Sequence, residues 1–297
     1  MEDIRRFVKL WLVDENQIVS KQGRGFKIEP SALGYHAAPD NPPWGSLIAV
    51  LVWIASVIAI VLFPLLFLIP YAVSSGPPFS EQQAFGEFLK QDPTAMILQI
   101  AGIIPAHIAT LVLAWIVITK LNKFSFTETL GWRSGGMGWW HYLSILVFFF
   151  AVASVVGVYL PEQENELTRI LQSSRSAVFL VAFMATFTAP IVEEVIYRGI
   201  LYSAFQRTLG LVLAIIAVTL LFALVHVPQY YPSISTIALL LLLSLILTLV
   251  RAWTGNLLPC IILHTIFNGT QSLLLILEPY IKASAPTVEP AASVFLK

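Results

Sequence analysis

The chain has 297 residues, of which 57% are hydrophobic and only 11% are charged. A soluble globular domain carries about 25% charged residues, so this composition indicates a membrane protein and excludes an ordinary soluble domain. The formal net charge of zero gives no electrostatic basis for a nucleic-acid partner, and the single cysteine excludes an internal disulfide.

Residues 1–46 open the chain with a polar sequence that contains Pro and Gly near its end, and they predict a cytosolic polar arm. Seven apolar segments follow, and each is long enough to cross a bilayer core, which requires about 20 mostly apolar residues per helix. The segments lie at 47–73, 95–120, 141–160, 178–208, 210–227, 234–253 and 256–280. This pattern predicts an all-α fold, a polytopic membrane helix bundle of seven to eight transmembrane helices. We allow for an eighth helix because, in a sequence, one kinked span is easily counted as two and two short spans as one.

We divide the chain into four parts on this basis. The arm (1–46) precedes N-terminal transmembrane helices (47–177), a C-terminal transmembrane core (178–281) and a polar tail (282–297). Twelve of the seventeen Lys and Arg residues fall on the arm's side of the seven spans, and five fall on the other side. Cytoplasmic loops carry the excess of Lys and Arg, so we predict an integral multi-pass protein with a cytoplasmic N-terminus.

The fourth apolar segment contains charges in the stretch APIVEEVIYRGI, residues 189–200. A charge in mid-membrane costs at least about 2.5–3.5 kcal/mol, and Glu193 and Glu194 are the only acidic residues in the middle of a predicted span, since Glu278 lies near the end of the last one. Helix positions four apart share a face, so Glu194 and Arg198 can pair and neutralise each other. Glu193 points about 100° away from Glu194 and keeps a carboxylate that no local cation neutralises.

Two later spans also contain polar residues at helical spacing. His226 follows Phe222 by four positions in FALVH, and Asn268 follows His264 by four positions in HTIFN. A single histidine in a span is usually an interhelical hydrogen-bonding group, and an isolated Glu–Arg pair is usually structural. Polar groups on three helices of one half of the chain instead predict a site inside the bundle. We expect the side chains of Glu193, His226 and His264 to meet in one water-filled cavity.

Depth in the membrane is the difficulty for this expectation. Glu193 is central in the fourth predicted span, whereas His226 falls at the far end of the fifth. At 1.5 Å per residue, straight spans of equal depth place His226 about 10 Å or more from the level of the other groups. The site therefore requires that the fourth and fifth spans are tilted or offset.

The three motifs together resemble the CPBP family of intramembrane glutamate proteases, which includes the CAAX prenyl endopeptidases and bacteriocin-processing enzymes. EEVIYR fits E-E-x-x-x-R, FALVH fits F-x-x-x-H and HTIFN fits H-x-x-x-N, in this order. The segment TGNLLPCIILHTIFNG is also similar to the family's sequence around its last motif. The resemblance covers roughly residues 178–275 and makes 178–281 the catalytic CPBP-like core.

The resemblance implies an intramembrane endopeptidase that works without a metal or another cofactor. Glu193 would act with His226 to activate a water molecule, and His264 and Asn268 would bind the oxyanion of the tetrahedral intermediate. Glu194 and Arg198 would support this arrangement. The implied partners are the lipid bilayer and a membrane-associated peptide or protein substrate, whose identity and prenylation stay open, as does the oligomeric state.

Three alternatives remain from the residues themselves. Glu193, His226 and His264 could bind zinc, since two imidazoles and a carboxylate leave an open water position, although the chain has no H-E-x-x-H motif. Cys260 lies one turn before His264 and could form a thiol–imidazole pair, although a small apolar residue is favoured there. Intramembrane acids and histidines also occur in proton-coupled transporters, and some CPBP proteins are discussed as immunity or scaffold proteins.

Overall fold

The structure is a computed structural model that describes residues 36–284; the greater part of the predicted arm and of the predicted tail lies outside the described residues. Within this range the secondary structure is helical, without a β-strand. The helices are α1 (Ser46–Ser75), α2 (Gln82–Gln91), α3 (Pro93–Thr119), α4 (Phe126–Leu130), α5 (Trp139–Tyr159), α6 (Glu166–Ser173), α7 (Arg175–Leu209), α8 (Leu211–Tyr230), α9 (Ile234–Thr254) and α10 (Leu258–Ser284).

Seven of these helices are long and apolar enough to cross a membrane: α1, α3, α5, α7, α8, α9 and the Leu258–Leu277 part of α10. They coincide with the seven predicted segments to within a few residues. The all-α, polytopic bundle predicted from the sequence is therefore confirmed. Large apolar side chains lie exposed around the bundle, as lipid-facing residues do, and α5 buries only Phe149.

The helix ends follow local sequence signals. The α3 helix begins with Pro93, and the side chain of the preceding residue, Asp92, accepts a hydrogen bond of 2.8 Å from the amide of Ala95. Proline at the first helical position loses no helical hydrogen bond, and an Asp cap satisfies a free amide. The α9 helix ends at Thr254. The next residue, Gly255, has a φ of 64°, which lies in the left-handed region that favours glycine.

The α7 helix is not a regular α-helix. Two π-helical segments, Met184–Thr188 and Val195–Leu201, flank a short α-helical segment, Ala189–Glu194, which holds both acidic residues. Pro190 lies in that short segment and has no amide hydrogen to donate, which disfavours an uninterrupted α-helix. π-Helical turns occur frequently at functional sites because they redirect side chains. The sequence did not predict this irregularity.

Side chains from other parts of the bundle hydrogen-bond to the second π segment. Trp44 donates from its indole nitrogen to the carbonyl of Ile200 at 3.0 Å, and Arg251 donates from Nε to the carbonyl of Arg198 at 3.0 Å. Every residue of Val195–Leu201 is buried. Polar backbone in a membrane must be satisfied inside the protein, so these contacts fix the α7 helix at the level of the charged residues.

Close packing of α1 on α3 provides a test of the fold. A Cβ at Gly102 would lie 2.6 Å from the Cα of Pro64, whereas a Cβ at Gly157 in α5 would meet nothing within 4 Å. We expect Gly102→Ala to lower the free energy of unfolding by about 1–3 kcal/mol through overpacking. Gly157→Ala is the matched control and should be neutral or stabilising, because Ala favours a helix over Gly. Thermal unfolding in detergent measures both, and equal midpoints would contradict the α1–α3 contact.

Candidate active site

Glu194 and Arg198 form a fully buried ion pair. Nη1 of Arg198 donates to Oε1 of Glu194 at 2.8 Å, and both side chains are 0% exposed. This is the pair that the four-residue spacing predicts. Two charges buried together avoid the cost of an isolated charge, but removing either partner would leave the other uncompensated.

The remaining nitrogens of Arg198 are held by α9. Nη2 donates to the carbonyl oxygen of Ser244 at 2.9 Å and to its hydroxyl at 2.8 Å, and Nε donates to the hydroxyl of Thr248 at 3.3 Å. The guanidinium also lies 4.8 Å from the ring centre of Phe222. Sequence reasoning missed Ser244 and Thr248, although two hydroxyl residues four positions apart in a leucine-rich helix are a signal of a polar stripe.

His264 lies between the two glutamates. Its Nδ1 is 2.8 Å from Oε1 of Glu194, and since an ionised carboxylate only accepts, Nδ1 carries the hydrogen of this bond. The other ring nitrogen, Nε2, is 3.8 Å from Oε2 of Glu193. The side chain of Glu193 is 21% exposed, whereas that of His264 is 3% exposed. Glu194 therefore fixes the imidazole, and Glu193 remains the accessible carboxylate.

His226 is half-buried near the end of α8. Its Nδ1 lies 2.7 Å from the carbonyl oxygen of Phe222, and a carbonyl only accepts. Nδ1 is thus the donor, and Nε2 of the neutral ring is left with a lone pair. No hydrogen bond or ion pair joins His226 to Glu193 among the described contacts. The pairing of Glu193 with His226 that the resemblance implies is therefore not seen as a direct hydrogen bond or ion pair.

The ring of Phe222 packs against three aromatic side chains of the site, including that of His226. Its ring centre lies 4.8 Å from that of His226, 6.1 Å from that of His264 and 5.0 Å from that of Tyr197. His226 is one turn from Phe222, or about 5–6 Å along the helix axis. The ring of Phe222 therefore contacts both histidine rings of the predicted site, one on its own helix and one on α10.

Asn268 is half-buried on α10, one turn beyond His264. Its Nδ2 donates to the carbonyl oxygen of Ala185, in the first π segment of α7, at 2.8 Å. One of its two amide hydrogens is therefore used to hold α10 against α7, and the other remains available. The structure places Asn268 beside the irregular backbone that precedes the acidic residues.

Two residues beside the site were not predicted as site residues. His107 of α3 lies 3.0 Å from the hydroxyl of Thr188, which directly precedes the segment with the acidic residues. The ring centre of Tyr230 of α8 lies 6.3 Å from that of His226. The signal for His107 was a histidine in an otherwise apolar span.

The alternative chemistries can be compared with the same geometry. In residues 36–284, no three His, Cys, Asp or Glu side chains are grouped as ligands for a metal ion. Cys260 is fully buried, and its sulfur lies 3.4 Å from the carbonyl oxygen of Leu247. That sulfur packs against α5 and α9 residues in an apolar cluster, which favours the packing role for Cys260.

The fold and these contacts define a polytopic helical membrane protein with a buried acid–imidazole site. Residues 175–270 match the model of the family described as type II CAAX prenyl endopeptidase, Rce1-like. This match confirms the resemblance seen in the three motifs and spans all of them. At the level of that family it indicates a hydrolase of the CAAX-protease type embedded in a membrane. No match was found among curated proteins or among solved structures.

The buried pair provides a test of this site's architecture. We expect Arg198→Met to lower the free energy of unfolding by about 3–5 kcal/mol, because the charge of Glu194 is left buried without a cation. The double variant Glu194→Gln/Arg198→Met removes both charges and keeps an acceptor for His264, so it should be more stable than Arg198→Met. Thermal unfolding in detergent compares the two. A double variant less stable than the single one would contradict the buried ion pair.

Proposed function

We propose that the protein is an intramembrane endopeptidase that hydrolyses a peptide bond of a membrane-associated peptide or protein. The observation that carries the proposal is that the two adjacent glutamates differ in burial and in hydrogen bonding. Glu194 is fully buried and bonded to Arg198 and His264, whereas Glu193 is partly exposed and faces His264 across 3.8 Å. The match of residues 175–270 to a prenyl endopeptidase family supports the same reaction class.

Glu193 and His226 are the groups proposed to activate water. A carboxylate and an imidazole nitrogen with a lone pair can each take a proton from a water molecule held between them. The hydrogen bond from Nδ1 of His226 to Phe222 leaves Nε2 as that acceptor. In this proposal the water molecule joins Glu193 and His226, which form no direct hydrogen bond or ion pair with each other.

His264 and Asn268 are the groups proposed to stabilise the tetrahedral intermediate. Glu194 holds Nδ1 of His264, so a doubly protonated ring can donate from Nε2 to the developing oxyanion. Asn268 keeps one amide hydrogen for the same oxygen while the other holds Ala185.

The proposed reaction proceeds in two steps. The water oxygen bonds to the scissile carbonyl carbon while Glu193 takes one water proton, and negative charge collects on the carbonyl oxygen. The carbon–nitrogen bond then breaks, and the proton passes to the leaving amine. The products are a free amine and a new carboxylic acid, which releases the second water proton to become a carboxylate, so no oxidant, reductant or co-substrate besides water is required.

A cleavage assay in liposomes with a panel of membrane-associated peptides tests the reaction, with both prenylated and unmodified forms. Glu193→Gln should lower kcat by about 10²–10⁴-fold, because it removes the general base. Glu81→Gln, an exposed glutamate near α2, is the matched control and should retain full activity. A fully active Glu193→Gln variant would exclude the proposed role of Glu193.

A Glu193→Ala variant that keeps the cellular role without cleavage would support the scaffold alternative.

Metal removal tests the zinc alternative. The active protein is treated with a chelator, dialysed and assayed, and its bound metal is measured. We expect activity to persist, because the proposed water activation uses only Glu193 and His226. Loss of activity that returns on addition of zinc would support the zinc alternative and end the metal-independent proposal.

A further inference from the structure

Ser272 is a polar residue of α10 that neither the motifs nor the proposed reaction uses. It follows Asn268 by four positions, as Asn268 follows His264, so the three side chains share one face of α10. All three bond to α7: His264 to a carboxylate, Asn268 to a backbone carbonyl and Ser272 to a hydroxyl. The polar face of α10 therefore lies against α7, and Asn268 is at its centre.

The hydroxyl of Ser272 bridges two positions of α7 that are one helical turn apart. It accepts a hydrogen bond of 3.1 Å from the hydroxyl of Thr186, and it donates to the carbonyl oxygen of Ala182 at 3.5 Å. The backbone of α10 comes close at the same place, since a Cβ at Gly269 would lie 3.4 Å from the methyl carbon of Thr186. These contacts fix the register of α10 against the first π segment of α7.

The same register determines the position of Asn268. Thr186 directly follows Ala185, whose carbonyl oxygen accepts from Nδ2 of Asn268 at 2.8 Å. Ser272 lies about 6 Å from Asn268 along the axis of α10. Both bonds thus join the same two stretches of backbone, and a slip of α10 along α7 changes both. An oxyanion donor must lie about 2.7–3.1 Å from its target, so a small slip is enough to misplace the second amide hydrogen.

We propose that Thr186 and Ser272 are positioning residues for Asn268. Their hydrogen bond fixes the register of α10 on the first π segment, and this register directs the second amide hydrogen of Asn268 to the oxyanion. The inference deepens the proposed function, since it rests on Asn268 as an oxyanion donor. The competing explanation is a hydrogen bond that only holds the two helices together, as polar pairs between membrane helices usually do.

A small set of variants separates these explanations. Thr186→Val keeps the size of the side chain and removes its hydroxyl, and Ser272→Ala removes the other partner of the bond. Thr186→Ser retains the hydroxyl and should behave like the wild type. Thr270→Val is the matched control, because Thr270 is half-buried on the same helix but its hydroxyl donates at 2.8 Å to the carbonyl oxygen of Ile266 within α10.

The first readout does not require proteolysis. The protein is prepared with isotope-labelled asparagine, and magnetic resonance records the side-chain amide signal of Asn268, which is identified by its loss in Asn268→Ser. We expect Thr186→Val and Ser272→Ala to shift or broaden this signal, because the bond to Ala185 changes with the register. Thr186→Ser and Thr270→Val should leave it in place. An unchanged signal in both Thr186→Val and Ser272→Ala overturns the inference.

The second readout is the cleavage assay. We expect Thr186→Val and Ser272→Ala to lower kcat about tenfold while KM changes little, since a misplaced oxyanion donor loses rate rather than substrate binding. Thr186→Ser and Thr270→Val should retain kcat to within about twofold. A bond that only holds the helices together predicts a lower thermal midpoint with an unchanged kcat of the folded protein, and that result also overturns the inference.

The two readouts distinguish a failure of this inference from a failure of the proposed function. If the wild type cleaves peptides and both Thr186→Val and Ser272→Ala cleave equally well, the inference fails and the proposed function stands. If the wild type cleaves no peptide, the proposed function fails, whereas the Asn268 signal still decides whether the bond between Thr186 and Ser272 fixes that amide.

Discussion

The buried carboxylate of Glu194 is the interaction on which the site depends. One of its oxygens accepts hydrogen bonds from Arg198 and from His264, each at 2.8 Å, and this joins α7 to α10. Arg198 extends the same network to Ser244 on α9. The other oxygen of Glu194, Oε2, is buried and has no hydrogen-bond partner among the described residues. Because an unpaired buried charge is costly, the bonds to Oε1 and those of Arg198 stabilise the carboxylate and hold three helices relative to one another.

The irregular backbone of α7 follows from the same constraint. Its two π segments place Glu193 and Glu194 between backbone stretches whose carbonyls accept hydrogen bonds from outside the helix. Ala185 accepts from Asn268 in the first segment, and Arg198 and Ile200 accept from Arg251 and Trp44 in the second. Each carbonyl has two lone pairs, so it can accept such a side-chain bond in addition to a helical one. These bonds give neighbouring parts of the chain specific attachment points beside the acidic residues.

The motifs differ in how completely they anticipate the site. The spacing of Glu194 and Arg198 is enough to predict their ion pair, because a helix places positions four apart on one face. The spacing of Phe222 and His226 predicts only a shared face. It does not reveal that Nδ1 of His226 bonds to the carbonyl of Phe222, which determines the nitrogen that can act as a base. Ser244 and Thr248 belong to no motif, so only the packing of α9 against α7 connects them to Arg198.

The sequence by itself determined the membrane class, the seven spans, the segment that matches a prenyl endopeptidase family and the pairing of Glu194 with Arg198. These features depend on composition and on helical periodicity, which are local properties. Only the tertiary structure decided which ring nitrogen of His264 faces each glutamate, the bond from Asn268 to Ala185, and the contacts of Arg198 with α9. These relations depend on the bends, lengths and contacts of helices that are distant in sequence. Short-range periodicity contains no information about such contacts.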